Sequence, residues 1–180
     1  MNVGKLYRSE VYFYMMPFVA LLLTSCTKIS ASAKQDQQTA MPTQAIEKFV
    51  VKETSGAKPN WILEAASAEI NDVQKMAYLV SPNVKFYEKG EYSSTLVADT
   101  GRINMETYDI WGDKNCIITT TKGERLETKN LKYLSSTKKI VTDDNVLLLR
   151  EKEKITGTGM EATPDLSSII IKKQKVEMRQ

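Results

Sequence analysis

Residues 126–148 read LETKNLKYLSSTKKIVTDDNVLL. Apolar and polar residues alternate in short runs rich in Val, Ile, Thr and Tyr, and a polar cluster at Asp143-Asp144-Asn145 breaks the pattern. That period of two is the signature of half-buried β-strands, whose successive side chains point to opposite faces. The same stretch recurs along the chain. Leu63-Glu64-Ala65, Leu96-Val97-Ala98, Leu126-Glu127-Thr128 and Ile155-Thr156-Gly157 begin at 63, 96, 126 and 155, so they lie 33, 30 and 29 residues apart. Asn or Gln stands just before a second series of apolar positions, Val84, Cys116, Val146 and Val176, spaced by 32, 30 and 30. Between the two series lie Ala77-Tyr78-Leu79, Tyr108-Asp109-Ile110, Ile140-Val141-Thr142 and Ile169-Ile170-Ile171. Each unit therefore reads as about three short strands. Units that cannot bury an apolar face alone imply a rolled or stacked β architecture, with an ordinary β-sandwich as the competing arrangement.

Working outward, turn-forming clusters fall at Ser55-Gly56, Ser81-Pro82-Asn83, Lys89-Gly90, Trp111-Gly112-Asp113, Lys122-Gly123, Asp143-Asp144-Asn145 and Thr163-Pro164-Asp165. They divide residues 43–180 into roughly a dozen strands, and helical periodicity is weak throughout. The expected fold class is all-β.

Composition removes much enzymology. The 180 residues carry 25 Lys and Arg against 22 Asp and Glu, a net charge of +3 with no basic run, which argues against a nucleic-acid partner. The absence of histidine excludes Ser-His-Asp and Cys-His hydrolase designs and imidazole-ligated zinc. Two cysteines, Cys26 and Cys116, cannot build a disulfide framework or a four-thiolate metal site. Cys116, followed by Ile117-Ile118, reads as an inert core residue. Carboxylates sit in turns or on polar faces. Ile155-Thr156-Gly157-Thr158-Gly159 lacks the Lys-Ser/Thr pair of a phosphate loop; its glycines fit a crowded strand or a bulge. No catalytic, metal or cofactor site is expected.

The N-terminus reads as an address. Lys5 and Arg8 precede an apolar run of 13 residues, Val11 to Leu23. A spanning helix needs roughly 20 apolar residues, so the run has the length of a signal-peptide core. Leu23-Thr24-Ser25-Cys26 then resembles the bacterial lipobox. The expected organisation is a signal peptide over 1–25, a lipidated Cys26 with a polar tether to 42, and a β domain over 43–180. An uncleaved anchor with an unmodified Cys26 is the alternative. Acyl chains contribute about 0.8 kcal/mol per buried methylene, so two or three attach a protein stably to a membrane.

The ordered pieces Phe49-Val50-Val51, Trp61-Ile62-Leu63-Glu64-Ala65, Ser81-Pro82-Asn83-Val84-Lys85-Phe86-Tyr87, Leu96-Val97-Ala98-Asp99-Thr100-Gly101, Leu126 to Tyr133, Ile140 to Val146 and Ile155 to Ala162 resemble the LptC family. That family supplies the membrane-anchored periplasmic component of the lipopolysaccharide-export machine, and the resemblance runs over residues 44–178. It implies an open, taco-like β-jellyroll of two antiparallel sheets. Lipopolysaccharide acyl chains would lie in a groove lined by Phe86, Leu96, Ile103, Met105, Ile118, Leu126, Tyr133, Val146, Leu148, Ile169 and Ile171. It also implies two partners at the sheet edges: an inner-membrane ABC permease complex against Ile46, Phe49 and Val51, and a periplasmic bridge jellyroll against Val176 and Met178. A homodimer through the same edges is a further expectation. Many family members keep a spanning helix where this chain has a lipobox. The export role then points to the periplasmic face of the inner membrane of a Gram-negative bacterium, although Thr27 in place of Asp after Cys26 points to outer-membrane sorting in enteric bacteria. The reading from a different class is a structural envelope lipoprotein or adhesin with a closed sandwich core.

Overall fold

The computed structural model describes residues 43–178; the expected signal peptide, Cys26 and the tether lie outside the described residues. Twelve strands follow one another: β1 (Thr43–Ser55), β2 (Lys58–Asn71), β3 (Met76–Val80), β4 (Asn83–Glu88), β5 (Glu91–Val97), β6 (Thr100–Asn104), β7 (Ile110–Thr120), β8 (Arg125–Leu134), β9 (Lys139–Leu149), β10 (Glu153–Ala162), β11 (Ile169–Ile171) and β12 (Lys175–Met178). All pairings are antiparallel within one continuous sheet. The expected all-β class and jellyroll are what the structure shows.

The pairing pattern explains how one sheet becomes two layers. β3 and β4 both pair with β2, on its second and first halves; β6 and β5 likewise divide β7, and β11 and β12 divide β10. Each pair of short strands is thus one lane interrupted by a break, and the twelve strands form nine bent lanes in a simple meander. The breaks fall in a row. They lie at Ser81-Pro82, at Ala98-Asp99 and at Lys172 to Gln174, beside register shifts between Asp113 and Cys116 on β7, Thr128 and Lys132 on β8, and Thr158 and Met160 on β10. Left-handed backbone marks this crease at Lys48, Ser81, Lys114, Asn115, Gly159 and Lys173. A bulge bends a strand and re-aims its side chains, so a row of them folds the sheet over on itself.

Side chains stitch the crease. Asn115 Nδ2 donates to Asp99 Oδ2 at 2.7 Å, and Asn130 Nδ2 donates to Asp144 Oδ2 at 2.8 Å. Asn130 Oδ1 accepts from the Lys114 amide, and Thr158 Oγ1 donates to Asn145 Oδ1 at 2.7 Å. Backbone groups freed where the ladder bends need such partners. The 30-residue period is now explained differently from the sequence reading. It is one hairpin of two bent lanes, and the Asn residues before Cys116 and Val146 mark where alternate lanes cross the crease. The cluster Trp111-Gly112-Asp113 is no turn; it lies inside β7.

The inner faces of the two halves share one core, which includes Trp61, Leu63, Ile103, Ile110, Ile118, Leu126, Ile140 and Leu148, all at most 1% exposed. Leu126 and Leu148 are direct cross-strand neighbours, and burying each stabilises the fold by about 1.5–3 kcal/mol. The outer face mixes charged and apolar residues, among them the exposed Val50, Tyr78 and Ile170. There Trp111 stands between Arg102 and Lys132, whose charged ends lie 5.2 and 4.5 Å from its ring centre. Asp113 and Asp109 hold those two cations at 2.7 Å each.

Candidate functional site: an apolar interior with two free edges

Alternation along each lane decides what the interior presents. On β8 the buried positions are Leu126, Thr128, Leu131 and Tyr133; the one-residue slip at the crease keeps both halves facing inward. The eight expected lining residues Phe86, Leu96, Ile103, Ile118, Leu126, Tyr133, Val146 and Leu148 are all at most 3% exposed. Met105, Ile169 and Ile171 are partly buried and pack against the same core. All eleven therefore gather on the inner side. The interior is filled by these side chains, and the two halves touch at the mouth opposite the crease. There Phe86 of β4 meets Tyr133 of β8 with ring centres 5.0 Å apart, and Trp61 of β2 meets Tyr108 at 6.2 Å.

A hollow of about 360 Å³ opens beside that aromatic pair, lined by Phe86, Tyr133, Asn60, Ser93, Lys89, Lys138 and the β10–β11 loop. The loop, residues 163–168, contributes the residue that sequence reasoning missed. Leu166 is fully buried and has a φ of 56°. A lone leucine inside the turn-rich TPDLSS tract was the available signal.

Ionisable groups inside are held neutral. Burial, with help from Asp113, raises the Cys116 thiol from its ordinary 9.0 to about 12. Burial, then Glu53 and Asp109, raises the Tyr133 phenol from 10.0 to about 12. Cys116 is buried as expected, with Sγ 3.5 Å from the Lys129 carbonyl oxygen. Burial also acts on Asp165, but hydrogen bonds from Thr163 and Ser167 outweigh it and leave the carboxyl below the ordinary range. No group of three or more metal-ligating side chains occurs among the described residues.

The edges form the second feature. Among the described residues β1 pairs only with β2, and β11 and β12 pair only with β10, so the sheet does not close and each end offers an unpaired flank. Of the residues expected there, Phe49 turns its ring into the core, Ile46 and Val51 pack against the core, and Val176 and Met178 are 50% and 71% exposed. On β1 the flank is thus offered chiefly by backbone.

Fold and interior together define a class: an antiparallel β-jellyroll with a largely apolar inside and two open sheet ends. The family described as lipopolysaccharide-assembly, LptC-related, matches residues 14–176. The chain belongs to this LptC-related family, and its role is in lipopolysaccharide transport. No curated protein matches the sequence. Among solved structures the chain is similar to LptH, the LptA homologous periplasmic component of the conserved lipopolysaccharide transport device from Pseudomonas aeruginosa. That likeness has 13% identity and a TM-score of 0.49, over 67% of this chain and 94% of the other.

Proposed function

We propose that the chain is a non-enzymatic conduit. It takes up lipopolysaccharide acyl chains between its two half-sheets and passes them from an inner-membrane ABC permease complex to a periplasmic bridge jellyroll. The observation that carries this reading is the conjunction of an apolar inner face with an unpaired edge at each end of the same meander. An incoming strand completes an edge's hydrogen bonds, and it also prolongs the inner face into the next protein, so that acyl chains need not meet water. β1 would take the permease side and β12 the bridge side. Cys26, lipidated, would hold the domain at the periplasmic face of the inner membrane, with the residues up to 42 as tether. A homodimer would use the same edges.

A photo-crosslinking residue placed singly at Phe86, Leu126 and Leu148 tests the reading in cells making lipopolysaccharide. Lipopolysaccharide adducts from at least two positions are expected. No adduct from a folded, membrane-bound protein overturns the conduit. The dense filling of the interior favours a second reading, an envelope lipoprotein whose core never opens. Displacement of a fluorescent fatty acid separates the two, because a permanently closed core has nothing to displace.

A further inference from the structure

The loop between β10 and β11 bridges the mouth opposite the crease. Residues 163–168 leave β10 at the rim of one half-sheet and return as β11 on that same half. In between, the loop reaches the other half: the Ser94 hydroxyl of β5, itself fully buried, donates to the Pro164 carbonyl oxygen at 2.7 Å. The loop also lies against the turn between β7 and β8, where the Lys122 charge acts on Asp165. Its remaining hydrogen bonds are internal. The Thr163 amide bonds the Ser168 carbonyl, the Leu166 amide bonds the Thr163 carbonyl, and Asp165 accepts from both the amide and the hydroxyl of Ser167. Such a segment can move as one body by giving up few hydrogen bonds with the far half.

What it carries across is apolar. Leu166 has no exposed surface, and its left-handed backbone is disfavoured for a residue with a Cβ. A leucine is held in that conformation only where its surroundings compensate, and here the compensation is insertion among the core side chains. The hollow beside Phe86 and Tyr133 adjoins the same loop through Thr163, Pro164, Asp165 and Ser167.

We propose that residues 163–168 form a releasable strap. Leu166 fills the mouth in the empty protein in place of an acyl chain, the Ser94–Pro164 hydrogen bond is the latch, and release of the strap admits the amphiphile. The inference deepens the conduit reading and rests on it for the identity of what enters, but opening of the strap can be measured without any lipid.

The experiment uses the full chain carrying Leu166→Cys, with and without Ser94→Ala, and follows modification by a water-soluble maleimide peptide by peptide in a mass spectrometer. Cys116, buried under the sheet, reports global unfolding in the same sample. The introduced thiol is expected to react at least about tenfold faster than Cys116, and Ser94→Ala to speed it by roughly a further fivefold, the effect of one lost hydrogen bond, with Cys116 unchanged. A thiol that reacts only as fast as Cys116, or a Ser94→Ala effect shared equally by both thiols, overturns the strap. Uptake of a fluorescent fatty acid is then compared in wild type and Ser94→Ala with the native Leu166. Faster uptake in the variant is expected, and equal rates of uptake overturn the gating role. If neither protein takes up the probe, gating falls together with the conduit reading; the thiol rates still decide whether the strap opens.

Discussion

At Gly157 an added Cβ would lie 2.7 Å from the carbonyl oxygen of Lys172 and would collide with the Ile171 side chain. The turn between β11 and β12 passes directly over that position, so Gly157→Val is expected to push the last lane off β10. A loss of about 1–3 kcal/mol is expected from such overpacking, checked by thermal melting together with faster amide exchange confined to residues 169–178. Cys116 and Tyr133 make a pH prediction. Both are neutral when protonated and both titrate higher in the fold than in the free chain. Their contribution is complete below the unfolded values of 9.0 and 10.0 and is lost as pH rises towards about 12. The melting midpoint should therefore fall steadily between pH 9 and pH 12, and less so in Tyr133→Phe; a level midpoint across that window contradicts the assignment. Leu126→Ala, which empties a fully buried site, should cost about 2–5 kcal/mol in a denaturant titration.

Among the elements, the crease was the hardest feature to read from sequence. Ser55-Gly56, Lys89-Gly90, Lys122-Gly123 and Thr163-Pro164-Asp165 reverse the chain at the rims as expected. Ser81-Pro82-Asn83 and Asp143-Asp144-Asn145 have the same composition, yet they only bend it. Whether a polar break turns a strand back or folds it over is decided by pairing with lanes on either side. That information is non-local, and no window of residues contains it. The inner face was legible because alternation is local; Leu166 was not, because a turn residue's burial depends on what stands across the mouth. Asn130 shows how much the crease relies on side chains. It accepts from the Lys114 amide and reaches Asp144 through both its own amide and its Nδ2. Asn130→Ala removes the Nδ2 bond to Asp144 and the acceptor of the Lys114 amide but keeps the backbone bond to Asp144, so it should cost about 0.5–1.5 kcal/mol, while circular dichroism keeps its strand signature.

For the whole molecule, the two ends of the sheet differ in what they can lose. β12 has four exposed residues and is held to β10 by backbone pairing and by Lys154, whose ammonium lies 3.8 Å from Glu177; the shorter Lys175–Glu177 pair at 2.8 Å is internal to β12. Ion pairs this exposed add little. Truncation after Gln174 is therefore expected to leave the melting midpoint within a few degrees of wild type while abolishing capture of the bridge protein, measured by pull-down; retained capture would move that contact elsewhere. β1, with 13 residues paired along almost all of β2, is not dispensable in this way.

Because every lane between the two end ones pairs with the lane before it and the lane after it, the sheet is a zipper whose teeth close in the order in which they are made. Loop-closure entropy is small at each step, and no strand waits for a distant partner. A chain that emerges from a narrow channel with its N-terminus leading can therefore fold progressively, each hairpin templating the next. β12 is the last tooth. Until it arrives, β10 presents half its length bare, so a protein halted or clipped just short of completion would carry a sticky flank at the end proposed for the bridge partner.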